Sequence, residues 1–194
     1  MANKNNTRTE INKGPGVIRT YTGLYLNVLN PDPELICIED IAHALSSLCR
    51  FGGHTGVFYS VAEHSVRCKL MAQEQFKYGC TESHQQKADE MMAALMHDAS
   101  EAYLVDVPRP VKELLPRYYE IENNLMQVIA KKFGFTLPLS ERVTNIDNIM
   151  LQREWDNLML GVHWQVLSRD AARSMFLKEF DAIEMFREYE LKQL

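Results

Sequence analysis

His97 and Asp98 stand side by side at the end of an apolar run, Ala93-Ala94-Leu95-Met96, and Glu101 follows one helical turn later. Burying an imidazole and two carboxylates at the end of a core helix is costly unless something compensates. A bound divalent cation does so, because it keeps the imidazole neutral and the carboxylate ionised. Two more donors sit in comparable settings: His64 is flanked by Val61 and Val66, and Asp147 lies between Ile146 and Ile149. His64, His97, Asp98 and Asp147 offer two nitrogen and two oxygen donors, a borderline set suited to zinc, manganese, cobalt or iron(II). Each residue taken singly also fits a plainer role. His64 reads alone as a surface or a satisfied histidine, and Asp147 as an ordinary helix-face or capping acid. Of the remaining histidines, His54 after Gly52-Gly53 reads as a loop residue, His43 as hydrogen-bonded in the core, and His84 and His163 as solvent-facing.

The elements that must bring these donors together are mostly helical. Ile38, Ile41, Ala42, Leu45 and Leu48 recur at helical spacing, and Gly52-Gly53 ends that run. A second helix begins near Ser60, with Glu63 placed for a capping box and Val61, Val66, Leu70 and Met71 as its stripe. The periodicity predicts a third from Gln85 to Tyr103, a fourth from Arg117 to Phe133 closed by Gly134, a fifth from Ser140 towards Leu160, and a last from Arg169 to Leu191. Upstream, Thr20 to Asn30 alternates as a short strand stopped by Asn30-Pro31-Asp32-Pro33, and Gly56 to Ser60 is the expected partner strand. The expected fold class is all-α: a compact bundle of about six helices with a short N-terminal β-hairpin. Residues 1–19 are expected to form a flexible tail, and 20–194 a single domain.

Composition narrows the function classes. The 194 residues carry 21 Lys and Arg against 26 Asp and Glu, a net charge of −5, and lack the basic field of a nonspecific nucleic-acid binder. No stretch approaches the roughly 18 apolar residues that a membrane span needs. The opening segment has no apolar h-region, so the cytoplasm is the expected address, that of a host if the chain is phage-encoded. Cys37, Cys49, Cys68 and Cys80 fall in apolar-periodic segments without a C-x-x-C pair, and read as reduced, small hydrophobic residues. The last helix carries Phe176, Leu177, Phe180, Ile183, Met185 and Phe186, a broad apolar surface that either covers the core or meets a second copy; a homo-oligomer is expected.

The order His64, then His97-Asp98, then Asp147 resembles the HD-domain metal-dependent phosphohydrolase superfamily. Ala62-Glu63-His64-Ser65, His97-Asp98-Ala99-Ser100-Glu101 and Asp106-Val107-Pro108-Arg109-Pro110-Val111-Lys112 are similar to its 5′-deoxynucleotidase branch. Arg50-Phe51-Gly52-Gly53-His54-Thr55 and the stretch from Tyr59 to Ser65 resemble phage and bacterial relatives that include dATP triphosphohydrolases. The resemblance runs from about Gly23 to Leu160. It implies that His64, His97, Asp98 and Asp147 bind one divalent metal ion (cobalt, manganese, zinc or magnesium). It places Glu101 as general acid/base, Asp106 as a second acid near the scissile phosphate, and Arg50, Arg109 and Lys112 at or beside phosphate-contacting positions. Phe51 stands where bacterial deoxynucleotidases place a Trp against the sugar, a departure that leaves sugar and base selection open.

These roles are chemically coherent. Attack on an anionic phosphate needs its charge offset, which a metal and basic side chains supply, and the metal acidifies a water to serve as nucleophile. The leading expectation is therefore a deoxynucleoside triphosphate triphosphohydrolase, favouring dATP, that releases deoxynucleoside and polyphosphate. The alternatives are a 5′-deoxynucleotidase acting on monophosphates and a non-catalytic helical binding module in which a metal is only structural. Arg109 and Lys112 also fit a solvated helix start.

Overall fold

The computed structural model describes residues 14–77, 81–161 and 164–191. Strand β1 (Val17–Arg19) pairs antiparallel with β2 (Tyr25–Asn27), with Ile18 opposite Leu26. This corrects the expected pairing with Gly56 to Ser60 and moves the end of the expected tail back to before Val17. The reason is local: Gly23 takes a left-handed φ of 93° and donates to Thr20 C=O, so the chain reverses within a few residues of β1. The segment at Gly56 to Ser60 contributes only a single antiparallel bridge, Cys49 to Ser60. Leu26 faces the core, fully buried.

Among the described residues eight α-helical segments follow: α1 (Ile38–Ser47), α2 (Val61–Gln75), α3 (His84–Met96), α4 (Glu101–Leu104), α5 (Arg109–Lys112), α6 (Pro116–Phe133), α7 (Glu141–Glu154) and α8 (Arg169–Leu191). The six of ten residues or more are the helices read from periodicity, so the all-α bundle is the observed fold. Helix α2 is its axis, packed by α3, α7 and α8 with α1 alongside. Ile41, Leu45, Val66, Leu95, Leu125, Ile129, Ile146 and Phe176 are among the buried side chains of the core these helices share. No described helix is long and apolar enough to cross a membrane.

Ser60 caps α2 by accepting from the Glu63 N–H, as its sequence indicates. The Glu63 carboxylate does not complete the box: it accepts from Arg67 and from the Leu167 N–H, tying α2 to the segment before α8. The predicted third helix breaks in two after Met96. Residues 97–103 continue with backbone bonds spanning three residues (Ala99 N to Met96 O 2.9 Å, Glu101 N to Asp98 O 3.0 Å), so the chain tightens where His97 and Asp98 sit. The predicted fifth helix also changes after Glu154, where Trp155–Met159 form a single π turn.

Helix α8 covers the core of its own chain. Phe176 and Ile183 are buried, Phe180 packs edge-on against Phe133, and Phe186 stacks on His84 at 3.7 Å between centroids, while Met185 is 71% exposed. His84 is therefore half-buried and not solvent-facing, and His43 stacks on Tyr21 at the edge of the core instead of bonding within it. His54 is exposed in its loop, while His163 and Cys80 lie outside the described residues. Cys37, Cys49 and Cys68 are free thiols.

Lys69 of α2, 3% exposed, donates to Glu179 of α8 at 2.6 Å and to Gln73. Removing one member of such a pair strands a buried charge. Glu179→Met is expected to cost about 3 kcal/mol, read by calorimetry as a fall in Tm of roughly 6–12 °C for a chain of this size. The double substitution Lys69→Met with Glu179→Met is expected to recover most of that loss.

Candidate metal centre

His64 sits on the α2 face turned towards α3 and α7 and is fully buried. Its Nδ1 lies 2.6 Å from Glu154 Oε1, so the ring N–H donates to that carboxylate and Nε2 is left with a lone pair. His97 closes α3, where the last carbonyls have no intrahelical partner. Its Nδ1 donates to one of them, Ala94 C=O, at 2.9 Å, which again leaves Nε2 bare. The two Nε2 atoms face each other at 3.0 Å.

Two carboxylates complete the cluster. Asp147 Oδ1 on α7 is 3.2 Å from His64 Nε2 and 3.7 Å from His97 Nε2. Asp98 Oδ2 is 3.4 Å from His97 Nε2 and 3.7 Å from His64 Nε2. Donors bound to one cation at about 2.0–2.2 Å lie roughly 3.0–3.6 Å apart; the spacings of 3.0, 3.2 and 3.4 Å fall in that range and the two of 3.7 Å just beyond it. All four residues singled out in the sequence meet at one point, from α2, the turn after α3, and α7.

Chemically, the four atoms are all acceptors once the Nδ1 protons are accounted for. Burial, and for His64 also Arg50, disfavours the imidazolium form, yet the surrounding Cys68, Glu154 and aspartates overturn that preference. His64 is raised well above its ordinary value and His97 is raised to about 10. Burial alone would raise Asp98 and Asp147, but the imidazoles hold both below the usual carboxylate range. The pocket thus requires positive charge, as protons or as a cation. Cys68 joins it: one turn beyond His64 on α2, its Sγ is 3.6 Å from His64 Nε2. His64, Cys68 and His97 form a cluster that could hold a metal ion.

The centre opens into a cavity of about 840 Å³. Glu101 and Asp106 line it beside Asp98 and Asp147. Glu101 is 5% exposed, its Oε2 has no hydrogen-bond partner among the described residues, and its Oε1 lies 3.7 Å from Lys112 Nζ. Burial first, then the charges of Asp98 and Asp106, push its pKa well up, and burial likewise raises Asp106. Arg50 is more committed than its expected phosphate role implies: Nε donates to Glu154 at 3.0 Å and Nη1 to Asp98 at 3.3 Å. Lys112 donates to Glu122 at 2.8 Å. Arg109, with 61% of its side chain exposed, stands at the rim 3.8 Å from Asp147. Phe51 forms part of the wall with Trp155, their rings 6.2 Å apart, and it does so from a left-handed φ of 57° that is rare for a bulky side chain.

Three contributors escaped the sequence reading. Glu154 falls seven residues after Asp147 on the same face of α7, a spacing that could have flagged it. Cys68, four residues after His64, shares its face but reads as one more core thiol. Trp155 has no such signal, because the π turn begins there and the helical period fails.

Over 163 residues, 82% of this chain and 83% of the relative, the sequence is 40% identical to the uncharacterized protein YfdR of Escherichia coli (strain K12). Over 150 residues, 72% and 71% of the two chains, it is 33% identical to the uncharacterized protein RCAP_rcc00048 of Rhodobacter capsulatus. No family model matches the chain.

A carboxylate that fixes the tautomer of a ligating imidazole typically governs metal affinity by 10–100-fold. Glu154→Gln retains the shape but loses the charge that accepts from His64 Nδ1. It is expected to weaken zinc or manganese binding by about 10–100-fold in titration calorimetry. Because protons and cation compete for the same lone pairs, binding in the parent protein is expected to tighten as pH rises from 6 to 8.

Proposed function

We propose that this chain, which belongs to one family with YfdR and RCAP_rcc00048, is an HD-type metal-dependent phosphohydrolase of deoxynucleotides, deoxynucleoside triphosphates first among them. The observation that carries this reading is the meeting of four acceptor atoms, from His64, His97, Asp98 and Asp147, behind a cavity that Asp98 and Asp147 line together with Glu101. A purely structural cation would need neither the cavity nor a buried carboxyl of raised pKa beside it. The volume, about 840 Å³, is ample for a nucleotide.

A divalent cation in this centre (cobalt, manganese, zinc or magnesium) supplies a Lewis acid that offsets phosphate charge and acidifies water. The residues of the chain do the rest. Burial and the neighbouring acids push the Glu101 pKa well up and so favour its protonated form, which is the form able to donate a proton to the departing ester oxygen. Asp106 lines the same cavity, and its charge helps to raise the Glu101 pKa. Arg109 and Lys112 bring positive charge to the phosphate end. Arg50, tied between Asp98 and Glu154, holds the ligand Asp98 in place. Phe51 and Trp155 give the deoxynucleoside an apolar wall.

One observation favours a second reading, a 5′-deoxynucleotidase acting on monophosphates. Arg50 and Lys112 are already bonded to Glu154 and Glu122, which leaves Arg109 as the cavity's least committed cation, a match for one phosphate better than three.

Turnover of all dNTPs and dNMPs by protein loaded with each metal, with products identified by mass, separates these readings. Triphosphate released from dATP supports the first, phosphate released from dAMP the second, and no turnover with any metal overturns both. His97→Ala and Asp98→Ala are expected to lose metal and activity together. Glu101→Gln is expected to retain metal and lose about 10²–10⁴-fold in kcat.

A further inference from the structure

We propose that Cys68 is a thiolate ligand of this centre, so that the resident cation is one with sulfur affinity (zinc, cobalt(II) or iron(II)) in preference to magnesium. The inference rests on the metal-dependent reading of the site and adds a donor to it. Cys68 follows His64 by one turn of α2 and is 1% exposed. Its Sγ lies 3.6 Å from His64 Nε2 and within the same donor cluster as His97. A cation about 2.3 Å from sulfur and about 2.0–2.1 Å from nitrogen, at the roughly 90–120° angles between neighbouring donors, sets those two atoms roughly 3.1–3.8 Å apart. The thiol is therefore already at ligand distance without any movement of α2.

The chemistry of its neighbours points the same way. Both Nδ1 protons are given elsewhere, to Glu154 and to Ala94 C=O, so each imidazole in its neutral form has no proton to offer sulfur. A neutral thiol has one proton and so can satisfy only one of the two Nε2 lone pairs beside it. When a cation enters, the S–H bond breaks heterolytically, its electron pair forms the sulfur–metal bond, and the proton leaves to solvent. No oxidant or reductant takes part. A donor set of one thiolate, two imidazoles and two carboxylates is softer than carboxylate and water alone, and softness of that kind disfavours magnesium. Cys37 shows the contrast: its thiol donates to Asp40 Oδ2 at 3.1 Å, at the start of α1.

The test uses the 194-residue protein loaded with cobalt(II) and desalted. Stoichiometric cobalt and an intense near-ultraviolet sulfur-to-cobalt charge-transfer band are expected, with the band lost in Cys68→Ser and kept in Cys37→Ser. Zinc affinity in Cys68→Ser is expected to fall at least as far as the roughly 10–100-fold that loss of an outer-shell partner costs. Zinc-edge X-ray absorption of the parent protein is expected to show one sulfur at about 2.3 Å, which keeps the answer independent of how the variant folds. Retained metal with only nitrogen and oxygen around it overturns Cys68 as a ligand and leaves the metal-centre reading intact. Failure to retain any of these cations overturns both.

Discussion

Where two protons sit decides the character of this protein. The Nδ1–H of His64 is given to Glu154 and that of His97 to a helix-end carbonyl, and both ring nitrogens that remain are thereby turned inward as lone pairs. Two aspartate oxygens meet them. Four acceptors cannot satisfy one another at such close range, so the centre favours positive charge at its middle. Glu154 is correspondingly well held: Tyr59 donates to it at 2.8 Å, Arg50 at 3.0 Å, and it is itself fully buried. Burial would raise its pKa, and these partners, His64 foremost, keep it ionised. One carboxylate therefore ties the loop before α2, the axis helix and the end of α7 into a single electrostatic unit.

The helices were legible because their apolar stripes are long and regular. Periodicity locates all six long helices, from Ile38 to Leu191, and the Ser60 cap is visible as a residue type in the right place. What it does not locate are changes of period. The break after Met96 keeps helical side-chain directions while shortening the backbone bonds, and the π turn after Glu154 adds a residue that no hydrophobic pattern announces. The hairpin was misjudged for a related reason. Val17–Arg19 is too short for alternation to stand out against its polar flank, and the Gly23 turn that pairs it depends on backbone geometry more than on side-chain hydrophobicity.

Within the centre, the donors that stand on apolar faces were readable as anomalies: His64, Asp147 and the His97-Asp98 pair each cost too much to bury unaided. The other contributors are not anomalies of that kind. Glu154 looks like any acid near a helix end, and only the fold brings it to His64 from 90 positions away. Cys68 is ordinary core by type and burial, and its proximity to two imidazoles is purely a tertiary fact. Arg50 was legible as a cationic group of the site, yet its pairing with Asp98 and Glu154 was not, since ion pairs across a bundle leave no trace in local spacing.

The cavity's two ends differ in how they are anchored. His64 and Cys68 stand on the axis helix, enclosed by its neighbours, whereas Phe51 and Trp155 belong to short irregular turns and Arg109 to a one-turn helix at the surface. Amide hydrogens of the axis helix exchange only as slowly as the whole domain opens, while those of the short turns exchange through local fraying. Substitutions at the rim can thus reshape the mouth of the cavity without disturbing the side chains packed on the axis helix.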